Sequence, residues 1–300
     1  MTFQSLTRTT VIATLILIGL GSAVRTTGSG LGCPDWPLCH GSVTPPFERT
    51  AIIEWSHRTV ASVTGLLILA QAVWGYLAFR LDRALTRTAY STVPLLAVQA
   101  ILGREAVMRE LPPGVVAVHM VSALLLLALL TIVAVLASVG PARTRDGRAG
   151  HATFRSDARL VVAVAGAVMV LGAYNLASGG GFACPAWPGC PDAPVPFLSG
   201  DRLHHIHWLH RLTIVAGLVA VVLLARRARA VRQTSPSLAT GATVLLLLYL
   251  LQAALGAVTI WTDFASAVRS MHLLAGAAVW ALAVALFARS RYLSPGEAGT

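Results

Sequence analysis

The chain reads as an all-α integral membrane protein. It is expected to have eight transmembrane helices, built as two tandem, pseudo-symmetric four-helix bundles with the N- and C-termini cytoplasmic. Three observations predict this. Apolar residues make up 56% of the 300 positions and charged residues only 12%, a balance suited to lipid. The apolar residues gather into eight runs, each near the roughly 20 residues that cross a bilayer as a helix. The last four runs repeat the first four.

The runs cover 9–27, 55–79, 88–106, 114–139, 158–178, 205–225, 238–261 and 268–288. The first has the look of a secretory leader but is read as retained, because the fifth is its counterpart in the repeat. The net charge of +11 is carried by arginine, with no lysine. In a soluble protein that would point to nucleic acid. Here the arginines sit in short connections between apolar runs, so membrane topology accounts for them and no nucleic-acid partner is expected. Arg80, Arg83 and Arg87, then Arg143, Arg145, Arg148, Arg155 and Arg159, then Arg226, Arg227, Arg229 and Arg232, mark one side, together with Arg8, Arg289 and Arg291. Arg25, Arg49, Arg104, Arg109, Arg202 and Arg269 are the sparser set opposite. The Arg-rich side is cytoplasmic, so both termini lie inside and loops 28–54 and 179–204 face outward. The chain divides into an N-terminal half, 1–140, a polar cytoplasmic linker, 141–157, a C-terminal half, 158–290, and a polar tail, 291–300.

The repeat is carried by four registered matches. Trp55-Ser56-His57-Arg58 returns as Trp208-Leu209-His210-Arg211, Gln99 to Gly103 as Gln252 to Gly256, and His119 as His272, all offset by 153; Cys33 to Cys39 returns as Cys184 to Cys190, offset by 151. Each unit has four spans, an even number, so the copies run in the same direction.

Within each half the repeated histidines are 62 residues apart and begin the second and fourth spans of that half. All four lie about one turn below the outer surface, so the members of a pair share one depth. Two imidazoles on different helices of a four-helix bundle, facing each other at one depth, suit axial ligation of a haem iron. A single intramembrane histidine could equally be an inert helix-end residue; four paired at one spacing favour ligation. Zinc lacks a third and fourth ligand at good spacing. His40, His151, His204 and His205 fall in loops or at a span edge and are expected to be solvated. Arg58 and Arg211 follow the ligands and suit contact with haem propionates, although adjacent residues point about 100° apart round a helix. Interfacial anchoring is the alternative. Gln99 and Gln252 could bond either to cofactor or between helices.

The four cysteines form two pairs, each within one outward loop, where an oxidising compartment favours disulfides. Cys33–Cys39 and Cys184–Cys190 would each close a tight loop. A four-cysteine zinc site across the loops, or pairing between the halves, stays open at this point.

The informative break in the repeat is Glu54, whose counterpart is His207. Two equivalent electron carriers would not need a carboxylate in one copy only. A carboxylate one turn from a ligand could act as a general base toward water or a substrate C–H; the plainer role is an acidic residue favoured at a helix N-terminus. His207 could support His210 or compete with it as a ligand, and the spacing of 62 favours His210.

Together these residues resemble the haem A synthase family, in its cysteine-containing eight-helix bacterial type. The resemblance spans all eight runs and rests on Thr27-Gly28-Ser29-Gly30 with Cys33-Pro34-Asp35-Trp36-Pro37-Leu38-Cys39, on Glu54-Trp55-Ser56-His57-Arg58, on His119, on His210-Arg211 and on His272. It implies an oxidoreductase of the bacterial cell membrane. Haem O would be the substrate, bound between His57 and His119, and one of its methyl groups would become a formyl group by successive water-dependent hydroxylations, giving haem A for terminal oxidases. The C-terminal half would carry haem b between His210 and His272. Glu54 would fall on the substrate side, under the Cys33 and Cys39 loop. Haem O synthase, oxidase assembly factors, the lipid bilayer and a further copy of the chain would be its partners. The competing reading is a dihaem b-type electron carrier that does no chemistry on haem; a transporter built from four-helix repeats would need polar groups near the midplane instead.

Overall fold

The computed structural model describes residues 1–141, 144–145 and 149–293. Eight long helices follow in chain order: α1 (Phe3–Thr26), α2 (Arg49–Phe79), α3 (Arg83–Met108), α4 (Pro113–Val139), α5 (Ala149–Ala177), α6 (Arg202–Arg227), α7 (Pro236–Trp261) and α8 (Ser266–Arg289). Each contains its expected span to within a residue or two, and most reach beyond it at the N-terminal end, where polar caps rather than apolar residues define the start. Thr2 accepts from the Ser5 amide, Asp82 from Leu85 and Asp201 from Leu203, each quenching an orphan donor of the first turn. Proline opens α4 and α7, where no amide is needed.

Seven of the helices are long and apolar enough to cross a membrane. The other, α3, has the length, but Arg83, Arg87, Arg104 and Glu105 and the internal Pro94 dilute its apolar character. The connection expected over 141–157 is shorter than the sequence suggested, because α5 starts at Ala149. His151, Phe154 and Ala158 recur at helical spacing and are buried, and a His151 ring nitrogen bonds to Ser235 Oγ at 3.0 Å. The expectation that His151 is solvated is thereby corrected. A two-residue antiparallel ladder joins Thr144–Arg145 to Tyr292–Leu293. Arg143, Arg148 and the tail from 294 lie outside the described residues.

Helices α1 to α4 close a ring, each packing on the next and α4 returning to α1; α5 to α8 do the same. The rings meet where α8 packs on α1 and α4, and α4 on α5. Accordingly α4 and α8 bury 50% and 56% of their spans against 17–28% for the other apolar helices. Alanines 277 and 281 of α8 let it approach α4 closely, and Trp280 Nε1 donates across the seam to the Leu124 carbonyl at 2.8 Å.

The two ring cores differ in kind. Thr7, Thr10, Thr14, Thr64, Gln71, Thr92 and Thr131 are all buried in the N-terminal half. Their repeat counterparts are Ala158, Val161, Ala165, Gly217, Leu224, Leu245 and Val284, also buried and all apolar or glycine.

Candidate haem sites under two disulfide loops

Both disulfides form within a loop: Cys33 with Cys39, Cα atoms 4.6 Å apart, and Cys184 with Cys190, 4.8 Å apart. That closes the alternatives of a shared zinc site and of pairing between halves. Pro37 and Pro188 each follow a cis peptide bond.

The loops are fastened to α2 and α6 by the residues flanking the histidines. Arg58 Nη1 donates to the carbonyls of Asp35 (2.7 Å) and Leu38 (2.6 Å). Its Nη2 donates to the Cys33 carbonyl (2.8 Å) and to Glu54 Oε1 (2.5 Å). Arg211 repeats the arrangement on the carbonyls of Ala186 (2.7 Å), Pro188 (2.8 Å) and Gly189 (2.7 Å). Trp55 Nε1 donates to the Val43 carbonyl (2.7 Å) and Trp208 Nε1 to that of Ala193 (2.9 Å). Four terminal N–H groups of Arg58 are thus committed to the protein, three of them on loop carbonyls. The sequence offered propionate contact or interfacial anchoring; the geometry shows a third role, a fork that pins the loop with the charge-assisted strength such bonds carry.

Glu54 and His207 occupy equivalent places, and both tie loop to helix with opposite polarity. Glu54, only 3% exposed, accepts from the Cys33 amide on Oε2 at 2.9 Å. Buried His207 bonds through Nδ1 to the Gly180 carbonyl at 2.8 Å. That bond ties His207 to the loop; the spacing of 62 to His272 is what favours His210 over His207 as a ligand.

Asp35 has no counterpart in the second loop, where Ala186 stands. Its carboxylate accepts from the amides of Gly41 (2.8 Å) and His40 (2.6 Å), holding a turn in which both take positive φ, 73° and 53°. The Gly41 amide, and His40 after it, hold the Asp35 carboxyl below its ordinary range. These bonds favour the ionised form, so the turn keeps their full contribution above the ordinary carboxylate pKa and loses it only as pH falls through the lowered folded value. The His40 and Gly41 amides should therefore resist hydrogen exchange down to about pH 4 and open below it; in Asp35→Ala they should exchange fast at every pH. His40 is exposed, as expected, whereas His204 and His205 are half-buried, His205 bonding to the Ser199 carbonyl at 2.7 Å.

Each ligand candidate leans on the helix before its own, at a glycine. A Cβ built on Gly21 would stand 3.0 Å from His57 Cε1, on Gly172 3.1 Å from His210, on Gly256 3.1 Å from His272 and on Gly103 3.6 Å from His119. At Gly21, Gly172 and Gly256 a side chain would push the imidazole aside by a few tenths of an ångström; at Gly103 it would meet His119 at ordinary contact distance. The sequence reading missed these seats, although their spacing carries the signal: Gly21 and Gly172 are offset by 151, Gly103 and Gly256 by 153. The repeat pairs His57 with His119 and His210 with His272. Their helices, α2 with α4 and α6 with α8, are not neighbours in the rings, so each pair spans a bundle interior.

Buried Nδ1 atoms of His119 and His210 have no hydrogen-bond partner among the described residues, an expensive arrangement unless a bound group takes it up. Among the described residues no three His, Cys, Asp or Glu side chains converge as a metal-binding group. Two imidazoles per site suit an iron whose other ligands come from a porphyrin. Gln99 Nε2 bonds to Ser122 Oγ (2.5 Å) and the His119 carbonyl (3.2 Å). Gln252 lies on His272 itself, its backbone carbonyl 3.1 Å from Nδ1 and its Nε2 3.4 Å from the other ring nitrogen.

Similarity to known proteins runs the length of this frame. A protein named Heme A synthase from Exiguobacterium is 30% identical over 261 residues, 86% of this chain and 83% of that one. Those of Symbiobacterium thermophilum and Bacillus licheniformis are 32% and 29% identical, covering 84% and 85% of this chain and 83% and 84% of theirs. The family model described as COX15-CtaA, cytochrome oxidase assembly protein, matches residues 4–52 and 46–284. The chain therefore belongs to the COX15-CtaA family of cytochrome oxidase assembly proteins.

Proposed function

We propose that this protein is a haem A synthase: an oxidoreductase that converts a methyl group of haem O to the formyl group of haem A in the bacterial cell membrane. The observation that carries the reading is the pair of imidazoles set beside glycines within each ring, in a chain alike over most of its length to proteins of that name. The two halves, 1–140 and 158–290, act as pseudo-symmetric bundles. Arginine placement supports an orientation with both termini in the cytoplasm and the disulfide loops outside.

In the N-terminal half His57 and His119 hold the iron of the substrate, haem O. In the C-terminal half His210 and His272 would hold a resident haem b, which would supply single-electron transfer. Each hydroxylation adds the oxygen of one water to the methyl carbon and releases two protons and two electrons. A second hydroxylation followed by loss of water leaves the aldehyde, and the electrons leave for a one-electron acceptor.

The chain's own residues position and deprotonate. Arg58, Trp55 and the Cys33–Cys39 disulfide keep the first loop closed over the His57 end of α2. Glu54 is fixed by Arg58 and the Cys33 amide, yet a carboxylate has about four lone-pair sites. The remaining ones accept the proton of the attacking water, one turn from His57. Haem O synthase is the fitting supplier of substrate, oxidase assembly factors the fitting recipients of product, and a homo-oligomer the fitting assembly for the lipid-facing helices.

Pigment extraction tests the reading. Membranes from cells that make haem O and express this protein should contain haem A and haem b. His57→Ala and His119→Ala should abolish haem A while haem b stays, and His210→Ala and His272→Ala should remove haem b. Haem b alone in the parent, even with haem O supplied, would identify an electron carrier instead.

A further inference from the structure

The four imidazoles are not held equally. Three press on their glycines at 3.0 to 3.1 Å, while His119 stands off Gly103 at 3.6 Å, about half an ångström further. The hydrogen bonds separate His119 from its counterpart His272, while His210 Nδ1 is as unpartnered as that of His119. His272, the counterpart of His119, has Nδ1 on the Gln252 carbonyl and the Gln252 amide against its other nitrogen. In the N-terminal half the equivalent Gln99 is drawn off the ring by Ser122, a hydroxyl that Ala275 replaces in the C-terminal half. Gln99 and Ser122 both bond to the His119 backbone carbonyl, so they fix the helix at that point and leave the ring alone. His119 Nδ1 is buried and unpartnered among the described residues.

We infer that His119 is the yielding ligand of the substrate site. This rests on the proposed function and adds how haem O is exchanged. His57, seated on Gly21, keeps hold of the iron. The iron–His119 bond breaks with its electron pair staying on the imidazole, the ring swings into the slack beside Gly103, and the porphyrin enters or leaves. In the C-terminal half both rings are seated, so the same sequence of helices retains its haem. A packed seat admits few alternative positions for a ring, whereas slack permits several. Gly103 and Ser122 are then positioning residues, acting through His119.

The test uses the full-length protein purified from cells making haem O, reduced and mixed with carbon monoxide, which binds iron only where a ligand has left. Fast binding is expected at the haem O site and not at haem b. Gly103→Ala puts a methyl at ordinary contact distance from the ring and removes the slack. Because ordering one side chain is worth up to about tenfold, the carbon monoxide rate should fall by about that factor with haem content unchanged. Gly256→Ala, whose methyl would press on His272, should do the reverse and open the haem b site to carbon monoxide. His119→Ala should keep extractable haem O on His57 alone, and His57→Ala should lose it. Equal carbon monoxide rates at the two haems, no effect of Gly103→Ala, or equal loss of haem O from both histidine variants would each overturn the inference. A parent that holds no haem O is a separate result, and brings down the functional reading along with this one.

Discussion

Glu54→Gln is expected to slow haem A formation about 100-fold, within the range that positioned acid–base groups contribute, while haem b content stays normal. The amide keeps the shape of the side chain and an oxygen for the Cys33 amide, and Arg58 keeps its three loop carbonyls, so the loop should remain in place; what goes is the proton acceptor and the bond from Arg58. The measurement is a time course of haem A extracted from membranes supplied with haem O. A normal rate would leave Glu54 with the task His207 performs in the other half, that of tying loop to helix. This makes the comparison more pointed than the sequence asymmetry alone. The structure gives the two residues a common anchoring role, so only chemistry would separate Glu54 from His207.

Arg58→Ala should be the most damaging single change to the fold of the outer loops. It removes three loop bonds and leaves the Glu54 carboxylate buried without its ion partner, a loss that typically costs about 3–5 kcal/mol. Arg211→Ala breaks three comparable bonds but strands no charge, and should cost about 1–3 kcal/mol. Thermal midpoints in detergent should therefore fall further for Arg58→Ala. Combining it with Glu54→Gln should recover part of the loss, because the stranded charge is gone. Arg58→Lys should not rescue, since a point charge cannot reach two carbonyls, a third and a carboxylate in one plane. Equal midpoints for the two alanine variants would mean that the Glu54–Arg58 pair adds nothing to the clamp.

Much of this was legible in the sequence. Apolar runs located all eight helices, since a bilayer imposes their length, and the offset of 153 picked out the two histidine pairs. Three things were hidden. Helix starts ran past the apolar runs because caps such as Asp82 and Asp201 are polar. The segment holding His151 and Phe154 looked like linker because its buried residues number only one per turn. The arginines next to the ligands pointed toward propionates until the loop carbonyls they reach were visible; nothing in a sequence says where a cis-proline loop will fold back. The glycine seats were hidden for another reason. A glycine has no side chain to suggest a role, and only the neighbour it admits reveals one.

The hydroxyls buried in the N-terminal ring have a mechanical consequence. Thr7, Thr10, Thr14, Thr92 and Thr131 all donate back to carbonyls of their own helices, so none of them stitches one helix to another. Gln71 and Thr64 find no partner at all among the described residues. The C-terminal ring fills the same places with interlocking hydrocarbon. Cohesion therefore differs in kind along one chain: these hydroxyls add nothing between the first four rods, whereas the last four meet through apolar groups at the same positions.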